Sequence, residues 1–389
     1  MKTVNKLIAV SSAVVLITMG CTKNDVNTGD SSRQSGTGDL KEKPVSQLPY
    51  ILAPVPTQLQ VYGVWHAGND YCTWGTIRNM IEFDQKNHWI IDRGPADEKP
   101  SVNLVVLSFV NPLKLLNLTN DETTVDGVPK GMNSAVVNYF KDHNIRVMLS
   151  IGGITYTSAW NTALATNPAQ LARNAAAVAA RLGVGIEIDY EENTNANLEG
   201  LQTFIGTYRS INPYDATGAN PAARLIIDLA AGDRWLISIC RKATEDWLRT
   251  DNPVLDYANA MVPARQPSAA EAITNWDEHI DGKPRYAPPI PPLAPCKFTG
   301  ALYINGSKPI PECVQFLSSI QYADREFVTR IVSPLAGVTP GMLGYMFWAA
   351  ECPSTRSMCT TGSNTCEGGV GEGFNYFKIA YPMPSLRQQ

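Results

Sequence analysis

Eight apolar segments rich in β-branched and aromatic residues alternate along this chain with segments of helical character, and no other feature restricts the fold as strongly. Strands are predicted at residues 59–65, 102–110, 145–151, 184–190, 224–230, 257–262, 298–304 and 341–348. Helices are predicted between most of them, at residues 76–87, 134–142, 168–182, 198–210, 236–248, 268–280 and 313–320. Alternating strands and helices form parallel βαβ units, and eight such units in 389 residues predict a single (β/α)8 TIM barrel.

A doubly wound open sheet is the alternative to a barrel. The dinucleotide-binding form of that sheet has a Gly-rich phosphate loop after its first strand, but Gly63 stands alone in the segment VYGVWHAGND. A net charge of −4 gives no basic surface of the kind that binds nucleic acid. Dinucleotide binding is therefore disfavoured, and no nucleic-acid partner is expected.

The first 20 residues resemble a bacterial lipoprotein signal peptide. Lys2 and Lys6 precede an apolar run over residues 7–19, and Gly20 stands before Cys21. This resemblance implies a lipid anchor on Cys21 and export to the cell envelope, with ordinary secretion as the alternative. No later apolar run reaches the ~18 residues of a membrane helix, so membrane attachment is expected only through lipid. Residues 21–50 are polar and aperiodic, which predicts a disordered tether before a folded domain at residues 51–389.

The remaining cysteines fit an exported protein, because an oxidising compartment permits disulfides. We expect a bond between Cys296 and Cys313, and one pair within the Gly/Ser/Thr-rich C-terminal loop at residues 352–366. Cys240 is expected to be buried and free. A zinc site is disfavoured, since the chain has no CxxC spacing and only four His.

The segment VGIEIDYEE, residues 184–192, alternates acidic and apolar side chains. Glu187, Asp189 and Glu191 share one face of an extended strand, and a half-solvated strand is the ordinary interpretation of such a pattern. In the fourth strand of a barrel, however, one face meets the helices and the other points into the barrel. The apolar side chains suit the helix face, so the carboxylates must point inward, where an unpaired charge costs several kcal/mol. This cost favours a functional role near the carboxyl end of the strand, where the active sites of such barrels lie.

The same segment resembles the strand-four motif D-G-x-D-x-D-x-E of glycoside hydrolase family 18, the chitinase family. Gly185, Asp189 and Glu191 match this motif, whereas Val184 and Glu187 replace its first two Asp residues. The segments SIGG at residues 150–153, NLVVLSF at 103–109 and GYMFW at 344–348 resemble strands three, two and eight of the family. Strand six departs from the family pattern M-x-Y-D or M-x-Y-N, because the sequence VPA follows Met261 and the Tyr is missing.

The resemblance implies cleavage of β-1,4 bonds beside N-acetylglucosamine in chitin or chito-oligosaccharides, by substrate-assisted hydrolysis that retains the anomeric configuration. Glu191 would act first as the general acid and then as the general base. Asp189 would orient the acetamido group of the substrate, and Glu187 would control the protonation of Asp189. No metal or organic cofactor is required, and we expect a monomer.

Seven further residues are candidate substrate contacts. By resemblance, Trp348 forms the floor of the central sugar subsite. The other six are Trp65, Phe109, Gly153, Tyr156, Met261 and Arg265. Arg265, Tyr156 or Tyr190 would supply the donor that the missing strand-six Tyr provides in the family, although Tyr190 is expected to face outward. Asp228, near the end of strand five, is explained equally well by a functional role or by local hydrogen bonds.

Two other functions remain open at this point. An endo-β-N-acetylglucosaminidase acting on N-glycans would use the same strand-four chemistry. A catalytically silent lectin of the same fold is favoured by Glu187 and by the altered strand six. The presence of Asp189 and Glu191, which a lectin would be free to lose, weighs against it.

Overall fold

A computed structural model describes residues 60–67, 80–91, 100, 102–230, 236–261, 276, 278–303 and 343–348. Eight parallel strands close into one barrel, in which the first strand pairs with both the second and the eighth. They are β1 (Val61–Ala67), β2 (Leu104–Val110), β3 (Arg146–Gly152), β4 (Gly185–Asp189), β5 (Leu225–Ala230), β6 (Ala258–Met261), β7 (Phe298–Tyr303) and β8 (Gly344–Trp348). Each predicted strand is present, so the (β/α)8 barrel is confirmed and the open sheet is wrong.

The α-helices that the structure describes in full lie between β1 and β6 in the sequence and cover the outside of the barrel. They are α1 (Met80–Ile91), α2 (Pro112–Leu116), α3 (Ser134–Asp142), α4 (Thr157–Thr166), α5 (Pro168–Leu182), α6 (Leu198–Ile211) and α7 (Ile237–Lys242). The bounds of α3 and α5 are those predicted. The helix predicted at 236–248 is shorter and continues as a π-helical turn at Ala243–Trp247. Both α2 and α4 were not predicted, and the helix predicted at 313–320 lies outside the described residues.

Helix α5 shows how local chemistry sets the entry into β4. The side chain of Asn167 accepts a hydrogen bond from the backbone N–H of Gln170, and Pro168 occupies the first helical turn. Gly183 ends the helix in the left-handed conformation, with φ +63°, and β4 begins two residues later. The helix end therefore fixes where β4 starts and which of its side chains face the interior.

Two apolar clusters divide the core. The larger lies between the barrel and the helices, and it contains Ile186, Ile188 and Tyr190 from β4 and the residue after it. The smaller fills the barrel interior, with Met148 from β3 and Ile226 from β5 among its members. The apolar face of the strand-four segment thus packs against the helices, as predicted.

Several predictions fall on other parts of the chain. The signal peptide at residues 1–20 and the tether at 21–50 lie outside the described residues and stay predictions. Within the described part, no helix is both long enough and apolar enough to cross a membrane. Cys240 is buried and free, as predicted, and Cys296 is disulfide-bonded. The partner expected for Cys296, Cys313, lies outside the described residues, as do the cysteines at 352–366.

Candidate active site

Three carboxylates of the strand-four segment lie on the inner face of the barrel. The exposed fraction is 0 % for Glu187, 2 % for Asp189 and 8 % for Glu191. Exposure rises toward the carboxyl end of β4, so Glu191 is the acid nearest to solvent. The predicted inward orientation of the acidic face is confirmed by this burial, because the apolar face of the same segment packs against the helices.

The glycines at the end of β3 allow this strand to approach β4 closely. Gly152 has φ +126°, and a Cβ there would lie 1.8 Å from the carbonyl oxygen of Asp189. The same carbonyl accepts hydrogen bonds from the backbone N–H of Gly153 at 3.0 Å and from Trp160 Nε1 at 3.1 Å. The SIGG segment therefore holds the backbone of Asp189 in place, which leaves its side chain directed into the barrel.

Glu187 is bound by two donors from other strands. Its Oε1 accepts a hydrogen bond from Trp65 Nε1, and its Oε2 accepts one from Asn259 Nδ2, both at 2.8 Å. Burial raises the pKa of Glu187 to about 7, although these donors act in the opposite direction. The cost of burying the charge therefore exceeds the stabilisation that the donors give to the ionised form.

Asp228 is a fourth carboxylate of the cluster, so of the two interpretations left open for it the structure favours the one beyond local hydrogen bonding. Its Oδ1 accepts a hydrogen bond from Asn259 Nδ2 at 3.0 Å, so one amide joins Asp228 to Glu187. Burial raises the pKa of Asp228 well above its ordinary value, and the charges of Glu187 and Asp189 add to this effect. Thr299 on β7 donates to Asn259 Oδ1 and so fixes the orientation of the amide.

Glu187 and Asp228 titrate as an interacting pair. In the ionised form, Oδ2 of Asp228 has no donor among the described residues. The interaction between the two carboxyl groups lowers the pKa of Glu187 and raises that of Asp228, which favours a proton on Asp228 over one on Glu187. A proton on the pair relieves the like-charge repulsion between the two buried carboxylates.

Asp189 lies between Glu187 and Glu191 along the strand-four segment. Burial raises the pKa of Asp189 well above its ordinary value. The negative charges of Glu191 and Glu187 raise it further. Its Oδ1 is buried and makes no hydrogen bond to any described residue. A buried acceptor without a donor is costly, so this oxygen either carries a proton or accepts a hydrogen bond from a bound molecule.

Aromatic rings adjoin the carboxylates at the carboxyl end of the barrel. Trp348 is half-buried, and its ring lies 5.1 Å from that of Phe109 and 6.5 Å from that of Trp65. A Cβ at Gly153 would lie 3.1 Å from the Phe109 ring, so this glycine leaves room for the ring. Four predicted contact residues thus come together beside the acids.

Trp65 differs from the other three in its surroundings. Its exposed fraction is 3 %, and its indole N–H is bound to Glu187. The side chain was predicted to contact substrate directly. In the structure its polar atom orients a buried carboxylate instead, because the ring lies inside the barrel and little of it reaches solvent.

The remaining candidates are Tyr190, Met261, Tyr156 and Arg265. The hydroxyl of Tyr190 donates to Asn161 and accepts from the backbone N–H of Asn197, so it faces the helices and cannot replace the missing strand-six Tyr. Met261 is half-buried and packs against the outer apolar cluster. Tyr156 is half-buried in a short 3-10 helix that follows Gly153, at Ile154–Tyr156. Arg265 lies outside the described residues.

Asp228 and Asn259 are the site residues that the sequence interpretation undervalued or missed. Both side chains point into the barrel, as the acids of β4 do, because alternate residues of a strand share a face. Asp228 is two residues after Ile226, and Asn259 is two residues after Tyr257, and both of these apolar residues belong to the inner cluster. Both residues could have been identified from the sequence as polar residues at inward positions of predicted barrel strands. Among the described residues, no group of three or more His, Cys, Asp or Glu side chains is arranged to bind a metal ion.

Comparisons with known proteins give a similar fold and no sequence match. No protein-family model matches the chain, and no curated protein sequence matches it. A glycoside hydrolase family 18 N-acetylglucosaminidase from Paenibacillus barengoltzii is 9 % identical, with a TM-score of 0.46 over 80 % of this chain and 99 % of that one. In fold, the chain resembles glycoside hydrolase family 18.

Two further solved structures show the same level of similarity. A class V chitinase from Nicotiana tobaccum is 11 % identical, with a TM-score of 0.46 over 81 % of this chain and 98 % of that one. An endo-β-N-acetylglucosaminidase from Cordyceps militaris, in complex with fucosyl-N-acetylglucosamine-Asn, is 13 % identical, with a TM-score of 0.43 over 82 % and 90 %. All three identities and TM-scores are low, so these similarities carry no conclusion about function.

Proposed function

We propose that this protein is a retaining glycoside hydrolase that cleaves β-1,4 bonds beside N-acetylglucosamine, in chitin or chito-oligosaccharides. The observation that carries the proposal is the buried Oδ1 of Asp189, which lacks a donor among the described residues and lies on the same barrel face as Glu191. An acetamido N–H is a donor of the kind that this oxygen lacks. A sugar bearing that group would place its anomeric carbon near Glu191.

Glu191 is the general acid of the proposed reaction. It donates a proton to the glycosidic oxygen while the bond between that oxygen and the anomeric carbon breaks. The acetamido carbonyl oxygen of the same sugar forms the new bond to the anomeric carbon, which gives a cyclic cation. Water then attacks the anomeric carbon, Glu191 removes a proton from that water, and two successive inversions retain the configuration.

Asp189 stabilises the positive charge that develops on the acetamido group. For this purpose it must be ionised, although burial and its acidic neighbours raise its pKa. Asn259 donates to both Glu187 and Asp228 and so orients this pair, which we infer holds one shared proton. We infer that this pair adjusts its proton as Asp189 loses and regains its own during each turnover.

Trp348 supplies the apolar surface for the sugar ring in this proposal. The apolar face of a sugar packs on an aromatic ring, and Trp348 is the half-exposed ring of the cluster, whereas Phe109 supports it from the interior. The acids and this ring lie at the carboxyl ends of β4 and β8, the end of a barrel where active sites are built.

The decisive experiment is hydrolysis of N-acetylglucosamine oligomers of two to six units, with the anomeric configuration of the products followed by NMR. We expect retained configuration, and a loss of turnover of about 10³-fold or more in Glu191→Gln with folding and oligomer binding preserved. Glu192→Gln is the matched control. Glu192 is the adjacent carboxylate, but it is bound by Asn161, Thr194 and Asn195 at the surface, so its replacement should leave turnover nearly unchanged.

The same assay separates the two competing functions. Release of glycans from a high-mannose glycoprotein, without action on the oligomers, would assign the protein to N-glycan cleavage. Saturable oligomer binding without product after long incubation would assign it to the lectins. Equal turnover by Glu191→Gln and the unaltered protein would overturn the proposed mechanism.

A further inference from the structure

The amino-terminal end of the barrel contains basic side chains that the proposed reaction does not use. Arg146 is the first residue of β3, Arg224 directly precedes β5, and Tyr257 directly precedes β6. Tyr257 belongs to the inner apolar cluster. Arg146 is two residues before Met148, and Arg224 is two residues before Ile226, and both apolar residues belong to that cluster. Because alternate residues of a strand share a face, all three side chains lie on the inner face of the barrel. They approach the interior from the end opposite Glu191.

Hydrogen-bond donors at this end are buried without acceptors. Arg224 is 2 % exposed, and neither its Nε nor its Nη1 has a hydrogen-bond partner among the described residues. Within the same part of the chain, Nη1 of Arg146 and the hydroxyl of Tyr257 also lack partners. Each buried donor without an acceptor costs about 1–3 kcal/mol, and more when it is charged. Four such atoms in one region favour the binding of a ligand that supplies hydrogen-bond acceptors.

The charges in this region are unbalanced as well. The charges of four cations, Arg146, Arg209, Arg224 and Lys297, and of two carboxylates, Asp215 and Asp256, act on one another here. Asp256 is already engaged, because its Oδ2 accepts from Arg209 Nη2 at 3.1 Å and from the backbone N–H of Leu225 at 2.8 Å.

Burial and the excess positive charge lower the pKa values of two basic side chains in this region, Arg146 and Lys297. Burial lowers the pKa of Arg146 to about 10, and the charge of Arg224 adds to this decrease. Burial also lowers the pKa of Lys297 to about 8, with further contributions from Arg209 and Arg224 that Asp256 opposes. Burying cations that repel one another is costly, and a negative charge beside them lowers that cost.

We propose that Arg146, Arg224 and Tyr257 bind a small oxyanion, of the phosphate or sulfate type, at the amino-terminal end of the barrel. The unpartnered atoms of the site are guanidinium N–H groups and one hydroxyl, the donors that bind such anions. Arg146 is only partly buried, and its Nη2 donates to Gly218 in a surface loop, which gives the ion a route from solvent. The proposal is independent of the proposed hydrolase activity.

Anion binding is tested on the full chain, freed of phosphate and sulfate by dialysis. Thermal unfolding and titration calorimetry are measured with sodium phosphate, sodium sulfate, sodium acetate and sodium chloride at equal ionic strength. Phosphate or sulfate is expected to bind saturably and to raise the Tm by about 2 °C or more at concentrations near 100 times the Kd, whereas chloride is not. A response to acetate alone, or an equal response to all four salts, would overturn the assignment.

Arg224→Met is the main variant, and it has two expected effects. First, it abolishes the response to phosphate and sulfate. Second, the Tm in anion-free buffer is equal to or higher than that of the unaltered protein, because an apolar side chain replaces an uncompensated buried charge. Tyr257→Phe removes only the hydroxyl and should weaken binding about 10-fold, so it tests the site even if Arg224→Met does not fold.

Arg173→Met is the matched control. Arg173 lies on the exposed face of α5, where it donates to Gln170, and its replacement removes one positive charge from the protein without touching the site. This variant should keep the full anion response. An anion response that persists unchanged in both Arg224→Met and Tyr257→Phe would refute the proposed site.

Discussion

The indole nitrogen of Trp65 donates a hydrogen bond of 2.8 Å to Oε1 of Glu187, and so links β1 to β4 across the interior of the barrel. The two strands are not neighbours in the sheet, since β2 and β3 stand between them. The bond lowers the pKa of Glu187, against the larger effect of burial. Trp65 therefore helps to set how readily the acidic cluster gives up a proton.

Trp65→Phe should keep an aromatic ring at this place but lose the indole N–H and its bond to Glu187, together with some buried volume. We expect kcat to fall about 10-fold with a smaller change in KM, and the acidic limb of the pH–rate profile to move to higher pH, because the pKa of Glu187 rises. Trp247→Phe is the control. Trp247 donates to Gln202 in the helical layer, so its replacement should move neither quantity. An unshifted profile in Trp65→Phe would contradict the role assigned to the bond.

Asp228→Asn tests the shared proton. The new amide can still donate to Glu187, so the fold should be retained, but it cannot take up or release a proton near neutral pH. We expect kcat to fall about 10-fold or more while the affinity for oligomers stays within about 2-fold, as measured by steady-state kinetics and calorimetry. A variant with normal kcat would show that the proton on Asp228 is not used in turnover.

The stability of the protein should depend on pH through Glu187. Its pKa is about 7 in the folded chain and 4.5 without the fold, so the folded protein keeps this proton across an interval in which the unfolded chain has lost it. The contribution of Glu187 to the free energy of unfolding is therefore complete below about pH 4.5 and is lost as the pH rises to about 7, a change of about 3 kcal/mol.

Urea unfolding at pH 5 and pH 8 measures this contribution, with Glu187→Gln as the reference that cannot titrate. The unaltered protein should lose stability relative to Glu187→Gln between these two values. Asp189 and Asp228 have pKa values shifted in the same direction, so they steepen the decrease in the unaltered protein. A difference between the two proteins that does not change with pH would contradict the prediction.

Two glycines should respond oppositely to alanine. Gly152→Ala places a Cβ 1.8 Å from the carbonyl oxygen of Asp189 at a residue with φ +126°, so we expect a loss of about 3 kcal/mol or more of stability, or no folding. In α6, a Cβ at Gly206 would have no atom within 4 Å. Gly206→Ala should raise the free energy of unfolding by about 0.5–1 kcal/mol. Urea unfolding distinguishes these outcomes, and equal effects would argue against the close approach of β3 to β4.

Most of the fold could be predicted from the sequence because its signals are local. The helix at residues 168–182 has Pro168 at its start and Gly183 at its end, and its predicted bounds are those observed. The two missed helices escaped prediction for different reasons. The helix Pro112–Leu116 has a capping Asn111 and a Pro at its start, but its five residues are too few to show a helical repeat. The helix Thr157–Thr166 follows a 3-10 turn and has no side-chain cap.

The sequence by itself determined that eight strands alternate with helices and that Glu187, Asp189 and Glu191 share an inward face, since both follow from the periodicity of the side chains along one strand. Only the tertiary structure decided which groups meet that face. Asp228 and Asn259 stand opposite each other in the register of β5 and β6, and Trp65 reaches Glu187 from β1. Those contacts depend on strand register and on closure of the barrel, which local periodicity does not specify.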